Sequence, residues 1–374
     1  MNMEESAFEE EKEENGMSVE SEVPVEPFNP KDIVIEVKPV TIETVLRRLN
    51  QGTLKLAPDF QRDAVWDLVR KSRLIESLML NIPIPIFYVS ADDKGVWSVV
   101  DGLQRLTAIK EFIVDKSYSL SELEFWGESF NNYKIDQLPP IQYNQIMETV
   151  FQFVIISPST PDNVKRNIFK RINTGGMPLS AQEIRHALYT GKGTIFLKKL
   201  VSLNSFKKAT CNSVKDNRMA AREIVLRLLA FFHFGALKYK EKADMDDFLC
   251  RALKDLNALD ERYLTELEAK FSQTMVRCFE LFGYQAFRIS LGGKNRSPVN
   301  KALFEVVGAV IMQMDNVVFK KVFQKRDNIV RRLIGLIHEP LFYRSISRDS
   351  WKVTNVLYRY EKINQLFEEV VSSD

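Results

Sequence analysis

Apolar positions along this chain change period near its middle: up to about residue 193 helical spacing alternates with short β-branched runs, and beyond it the spacing is helical. Thr41 can cap a helix carrying Val45 and Leu49 on one face, with Gly52 as its stop. Asp67 can cap a second, whose apolar positions Leu68, Leu74, Ile75, Leu78 and Met79 end before Pro83. Two strands follow, Ile84 to Ser90 and Val96 to Val100, with Asp92-Asp93-Lys94-Gly95 as the turn of a hairpin. At Asp101-Gly102 the second strand gives way to a helix bearing Leu106, Ile109, Phe112 and Ile113 on one face. Residues 117 to 140 are mixed and predict short strands and loops, while Phe151 to Ile156 suits a buried strand. Thr160-Pro161 opens a helix that runs to about Arg171 and stops at Asn173-Thr174-Gly175-Gly176. Ser180 and Glu183 stand at capping-box spacing for the next helix, which Gly191 ends.

The second half predicts helices at Ala220 to Phe234 and near 244 to 256, 260 to 282, 299 to 314, 316 to 337 and 351 to 371, with no competing strand signal. Residues 1 to 31 mix Glu, Ser and Pro with few aromatics and bury too little surface to offset chain entropy, so they are expected to be a disordered acidic tail. The expected fold class is α+β, with a mixed domain over 32–193 followed by an all-helical domain over 194–374.

At 374 residues, with 45% hydrophobic and 27% charged, the chain has enough material for both cores. Cys211, Cys250 and Cys278 stand far apart, without metal-ligand spacing, and an odd count gives no disulfide framework. The acidic N-terminus is no signal peptide, and the apolar stretches near Ile224 and Leu303 are interrupted by Arg227 and Glu305, which argues against a membrane span. A cytoplasmic location fits these features. Charge adds one asymmetry: the net +2 includes −9 from ten Glu and one Lys in the first 30 residues, leaving +11 on the rest. Such a body can attract nucleic acid or nucleotide phosphates, although scattered Lys and Arg also describe a plain solvated surface.

The chemistry concentrates at Asp101-Gly102-Leu103-Gln104-Arg105. A strand that ends in Asp-Gly and feeds a helix presents backbone N–H groups at the positive end of the helix dipole, which attracts phosphate. Gly102 permits close approach, Arg105 can fork onto phosphate oxygens, and Gln104 can pair with a base, a ribose or water. Asp101 would bind Mg²⁺, orient Arg105 or position a water. On residue types alone, a plain helix start with an Asp cap and an exposed Arg is the simpler reading.

Context narrows the choice. Pro58-Asp59-Phe60-Gln61-Arg62-Asp63-Ala64-Val65-Trp66, Leu74-Ile75-Glu76-Ser77-Leu78, Pro83-Ile84-Pro85-Ile86 and Val100 to Ala108 follow one another in an order that resembles the N-terminal domain of GmrSD-type, modification-dependent restriction endonucleases. More distantly the order is similar to the ParB/sulfiredoxin fold, whose members place a Gly-Glu-Arg-Arg-like turn on nucleotide phosphates. A second block, Phe169 to Gly176 with Leu179 to Arg185, also resembles the GmrSD pattern, and the likeness extends loosely through Arg218-Met219 and Glu223 to Arg227.

The resemblance implies a nucleotide site made by Asp101, Gly102, Gln104 and Arg105, with Arg62 as a second phosphate-directed cation and Arg171 and Asn173 in a shared cleft. It implies an NTP with Mg²⁺ as cofactors, DNA as a partner and a possible separate nuclease subunit. On the residues alone, Arg171 can equally complement a helix C-terminus, Asn173 can be a turn former and Glu183 a cap. Two departures bear on mechanism. The family turn is Asp-Gly-Gln-Gln-Arg, and Leu103 replaces its first glutamine, which should spare binding more than hydrolysis. Larger relatives carry a His-Asn-His nuclease domain, whereas His186, His233 and His338 are isolated on helical segments. Two functions are therefore expected in competition: an NTP hydrolase acting with nucleic acid in prokaryotic restriction or phage defence, or a nucleotide-switched module that recruits a nuclease. In the helical half, Tyr284, Phe287 and Trp351 beside Arg288, Arg296 and Lys352 could stack on single strands, or simply pack a core.

Overall fold

The computed structural model describes residues 33–56, 66–172, 179–240 and 244–372, together with the backbone of two paired two-residue strands, Glu13–Glu14 and Met17–Ser18. The rest of the acidic tail, Arg62 and Asn173 lie outside the described residues. The chain divides between Thr190 and Gly191 into two compact units.

The first unit holds a five-stranded mixed sheet. In chain order its elements are β1 (Ile35–Thr41), α1 (Ile42–Asn50), β2 (Leu54–Lys55), α2 (Leu68–Met79), β3 (Phe87–Ala91), β4 (Trp97–Asp101), α3 (Leu103–Ile113), α4 (Gly127–Phe130), α5 (Pro140–Glu148), β5 (Val150–Ile156), α6 (Asp162–Ile172) and α7 (Ala181–Leu188). The strand order is β1-β5-β3-β4-β2: β5 pairs antiparallel with β1 and parallel with β3, β3 and β4 form the antiparallel hairpin, and β2 runs parallel to β4. Phe87 stacks on Phe153 and tilts against Phe151 on one side of the sheet, and Val100 and Ile156 meet Phe169 of α6 and Ile184 of α7 in a second cluster. The opposite placement of Phe87 and Tyr88 follows from the period of two along a strand.

Caps behave as the side-chain chemistry dictates. Thr41 accepts from the Thr44 N–H, Asp67 from the Arg70 N–H, and Ser180 and Glu183 close a full capping box. One strand lies outside the expectations, and two expectations need correction. β1 is a strand that precedes the Thr41 cap; Pro39 lies within it, which an edge strand tolerates because a missing donor there breaks little of the ladder. β3 starts at Phe87 rather than Ile84, since Pro83 and Pro85 have no N–H to give a sheet. The short strands expected over 117 to 140 do not form; that stretch holds α4, a 3₁₀ turn at Ile135–Gln137 and the start of α5, with Pro140 in its first turn.

The second unit contains α8 (Lys192–Ser202), α9 (Asn204–Ala209), α10 (Ala220–Phe234), α11 (Ala236–Lys240), α12 (Met245–Ala258), α13 (Glu261–Phe282), α14 (Lys301–Gln313), α15 (Asn316–Gln324), α16 (Arg326–His338), α17 (Pro340–Ser347) and α18 (Val353–Ser372). The helix expected over 316 to 337 is thus two, broken at Lys325, whose φ/ψ of −105°/23° leaves the helical basin. α10 and α14 are buried nearly all round and pack on each other, with Gly308 letting α14 approach Leu228. Between them lies a buried ion network: Glu305 accepts from Arg227 at 2.8 Å and from Arg359 of α18 at 2.6 Å. No helix among the described residues is long and apolar enough to cross a membrane.

Candidate functional site

β4 carries Asp101 to its last position, in register with Tyr88 of β3. The chain then turns at Gly102, whose φ of 92° is left-handed, and α3 begins with no side-chain cap. A Cβ at this position would lie 2.7 Å from Phe87 Cε1, so both the dihedral and the space require glycine. Leu103, the residue that departs from the family turn, is buried, so this position points into the protein.

Arg105 sits one helical turn beyond Asp101. Its Nη2 donates to Asp101 Oδ2 at 2.9 Å and to the Ile86 carbonyl at 3.1 Å, its Nη1 donates to the Pro85 carbonyl, and its guanidinium lies 4.4 Å from the centre of the Phe87 ring. The Arg105 side chain is 11% exposed and that of Asp101 38%. Burial lowers the pKa of Arg105, while the charge and hydrogen bond of Asp101 act in the opposite direction. Most of the Arg105 donors hold the carboxylate and the two carbonyls, so a fork onto phosphate would draw on Nε–H and one Nη1–H. Asp101 Oδ1 has no hydrogen-bond partner among the described residues.

Gln104 Oε1 accepts from the Trp66 N–H at 3.5 Å, a long bond. Val100, next to Asp101, packs with Phe169 and Ile184, so the fold brings both sequence blocks into one cluster. Arg171 is exposed in the last turn of α6. Glu183 is buried, with its carboxylate 2.6 Å from the Ser180 backbone nitrogen, as the expected cap requires. Arg185 is buried and its Nε donates to Gln182 Oε1. Of the histidines, His186 is buried, His233 stands 3.6 Å from Asp255, and His338 Nδ1 lies 2.7 Å from the Ile334 carbonyl.

Phe87 and the Pro85 and Ile86 carbonyls were not singled out from the sequence. The signal for them is the Pro83-x-Pro85 spacing: a segment barred from donating to a sheet leaves its carbonyls to another donor, here Arg105. Among the described residues no group of three or more His, Cys, Asp or Glu could hold a metal. Asp101 Oδ1 alone suits a Mg²⁺ that arrives on nucleotide phosphates, because such an ion keeps waters and needs only one or two carboxylates.

Comparison with known families matches residues 42–190 to the N-terminal domain of the GmrSD restriction endonuclease. The match stops where the first compact unit stops, so the likeness through Arg218-Met219 and Glu223 to Arg227 lies outside it. No curated protein and no solved structure matches the chain. The order of the sequence blocks, their meeting at Val100 and Phe169, and the span of the match agree: residues 42–190 of this chain are a domain of the GmrSD N-terminal family.

Proposed function

We propose that the turn at Asp101–Arg105 binds the phosphates of a nucleoside triphosphate, in a ParB/sulfiredoxin-like arrangement, and that the protein acts with DNA in prokaryotic restriction or phage defence. The observation that carries this reading is the left-handed Gly102 opening α3 directly after the Asp101 carboxylate, against the face of Phe87. The helix N-terminus and the remaining Arg105 donors would hold phosphate oxygens, Gln104 would position water or base, and Asp101 would hold a nucleotide-borne Mg²⁺ through Oδ1. That ion supplies charge neutralisation at the phosphates. Arg62, Arg171 and Asn173 would complete the cleft.

Phosphate release from ATP, GTP, CTP and UTP with Mg²⁺, with and without DNA, tests the hydrolase reading. Turnover lost in Asp101→Ala and Arg105→Ala supports it. A second reading, a nucleotide-switched module that recruits a separate nuclease, is favoured by the engagement of Arg105 with Pro85 and Ile86. A cation tied to a loop is suited to coupling ligand binding to loop position. Nucleotide binding without turnover would select it.

A further inference from the structure

The second unit carries a surface that the turn does not use. Neither 204–215 nor 281–304 contains an acidic residue, and together they carry Lys207, Lys208, Lys215, Lys294, Arg296 and Lys301. The fold holds these two segments side by side. Arg288 is buried between them: Nη2 donates to the Thr210 carbonyl at 3.2 Å and Ser213 Oγ at 2.8 Å, and Nη1 donates to the Ser297 carbonyl. Gln285 Nε2 binds the Gly293 and Asn295 carbonyls at 3.3 and 3.2 Å, fixing the loop that presents Lys294 and Arg296, both exposed. Cys211 Sγ lies 3.6 Å from the Tyr284 carbonyl.

At this junction Tyr284 is 71% exposed, held edge-on against Phe279 with ring centres 5.5 Å apart, and Lys208 Nζ lies 4.8 Å from the Phe279 ring centre. Backbone strain accompanies the arrangement, with positive φ at Cys211, Asn212 and Phe287. Of the residues considered as a stacking platform from sequence, Phe287 and Arg288 prove to be buried, and Tyr284 and Arg296 face outward. Glu280 bounds the surface at the end of α13.

We infer that this surface binds single-stranded nucleic acid, with Lys208, Lys294 and Arg296 on phosphates and Tyr284 stacked on a base. An oriented, exposed aromatic ring on a surface rich in cations is the combination that tracks a strand without reading its sequence. The buried Arg288 ties together the backbones of the two acid-free segments that carry these cations. The inference concerns a different unit from the turn and stands or falls apart from it.

The test is fluorescence anisotropy of the full chain, free of nucleotide, with a labelled oligothymidylate of about 20 nucleotides at two salt concentrations. Lys294→Glu/Arg296→Glu is expected to weaken binding by about tenfold or more and to flatten its salt dependence, and Tyr284→Ala to weaken it by about fivefold. Lys38→Glu/Lys94→Glu, an equal charge change at exposed sites of the first unit, is expected to stay within about twofold. Equal losses in both double variants would reduce the effect to net charge and overturn the assignment. So would an unchanged Tyr284→Ala, no binding by the unaltered protein, or displacement of the strand by polyglutamate as readily as by unlabelled strand, which would mark a surface for acidic protein.

Discussion

Gly102 carries two demands at once, a left-handed φ and contact with the Phe87 ring, and they add. Gly102→Ala should therefore cost about 2–4 kcal/mol, from left-handed strain plus the displacement of a packed ring. Urea denaturation followed by far-UV circular dichroism measures it; a loss below about 0.5 kcal/mol would mean that the turn relaxes freely. At this scale the glycine was legible from the sequence, because Asp-Gly between a strand pattern and a helix pattern has few conformations. The partners of Arg105 were not. Which carbonyls a guanidinium finds depends on tertiary placement of Pro85 and Ile86, 20 and 19 residues away along the chain. The same holds for Leu103, whose burial beside the turn depends on tertiary packing that no local pattern shows.

Among elements, α2 does more than supply an apolar face. Glu76, buried on it, accepts the N–H groups of Glu124 at 2.9 Å and of Phe125 and Trp126 at 2.8 Å, while Ser72 Oγ accepts from the Ser121 N–H. A carboxylate with backbone donors replaces the missing ladder of a segment that makes no sheet. Glu76→Gln turns one acceptor into a donor facing those N–H groups and should destabilise the protein by about 2–4 kcal/mol, with faster hydrogen exchange at 124–126 than elsewhere. Unchanged exchange there would show that the anchor is dispensable. Cap residues made α1, α2 and α7 readable, since capping is local chemistry. β1, α5 and the break at Lys325 were not, because an edge strand with an internal proline, a helix opening on Pro139-Pro140 and a helix break without Gly or Pro are decided by what packs against them.

For the whole molecule, Arg227 and Glu305, read from sequence only as interruptions of apolar stretches, turn out to face each other, with Arg359 as a third member. Both Glu305 and Arg359 are fully buried. Glu305→Leu leaves two cations in the helical core without their counter-charge and should cost about 3–5 kcal/mol, whereas replacing all three members by Met and Leu of similar volume should recover most of that loss. Chemical denaturation of the single and triple variants checks it, and a triple variant no more stable than Glu305→Leu would assign the network a packing role instead. The chain has two separate cores: a mixed unit whose residues 42–190 match the GmrSD N-terminal domain and carry the turn proposed to hold phosphate, and a helical unit with a basic, aromatic surface.

Calorimetric titration of the unaltered chain and of Arg105→Ala with each of ATP, GTP, CTP and UTP, in Mg²⁺, tests the central claim most directly. The account predicts saturable binding of at least one nucleotide by the unaltered chain, weakened about tenfold or more in Arg105→Ala. Absence of binding by every nucleotide, or equal affinity in the variant, would contradict a phosphate site at Asp101–Arg105.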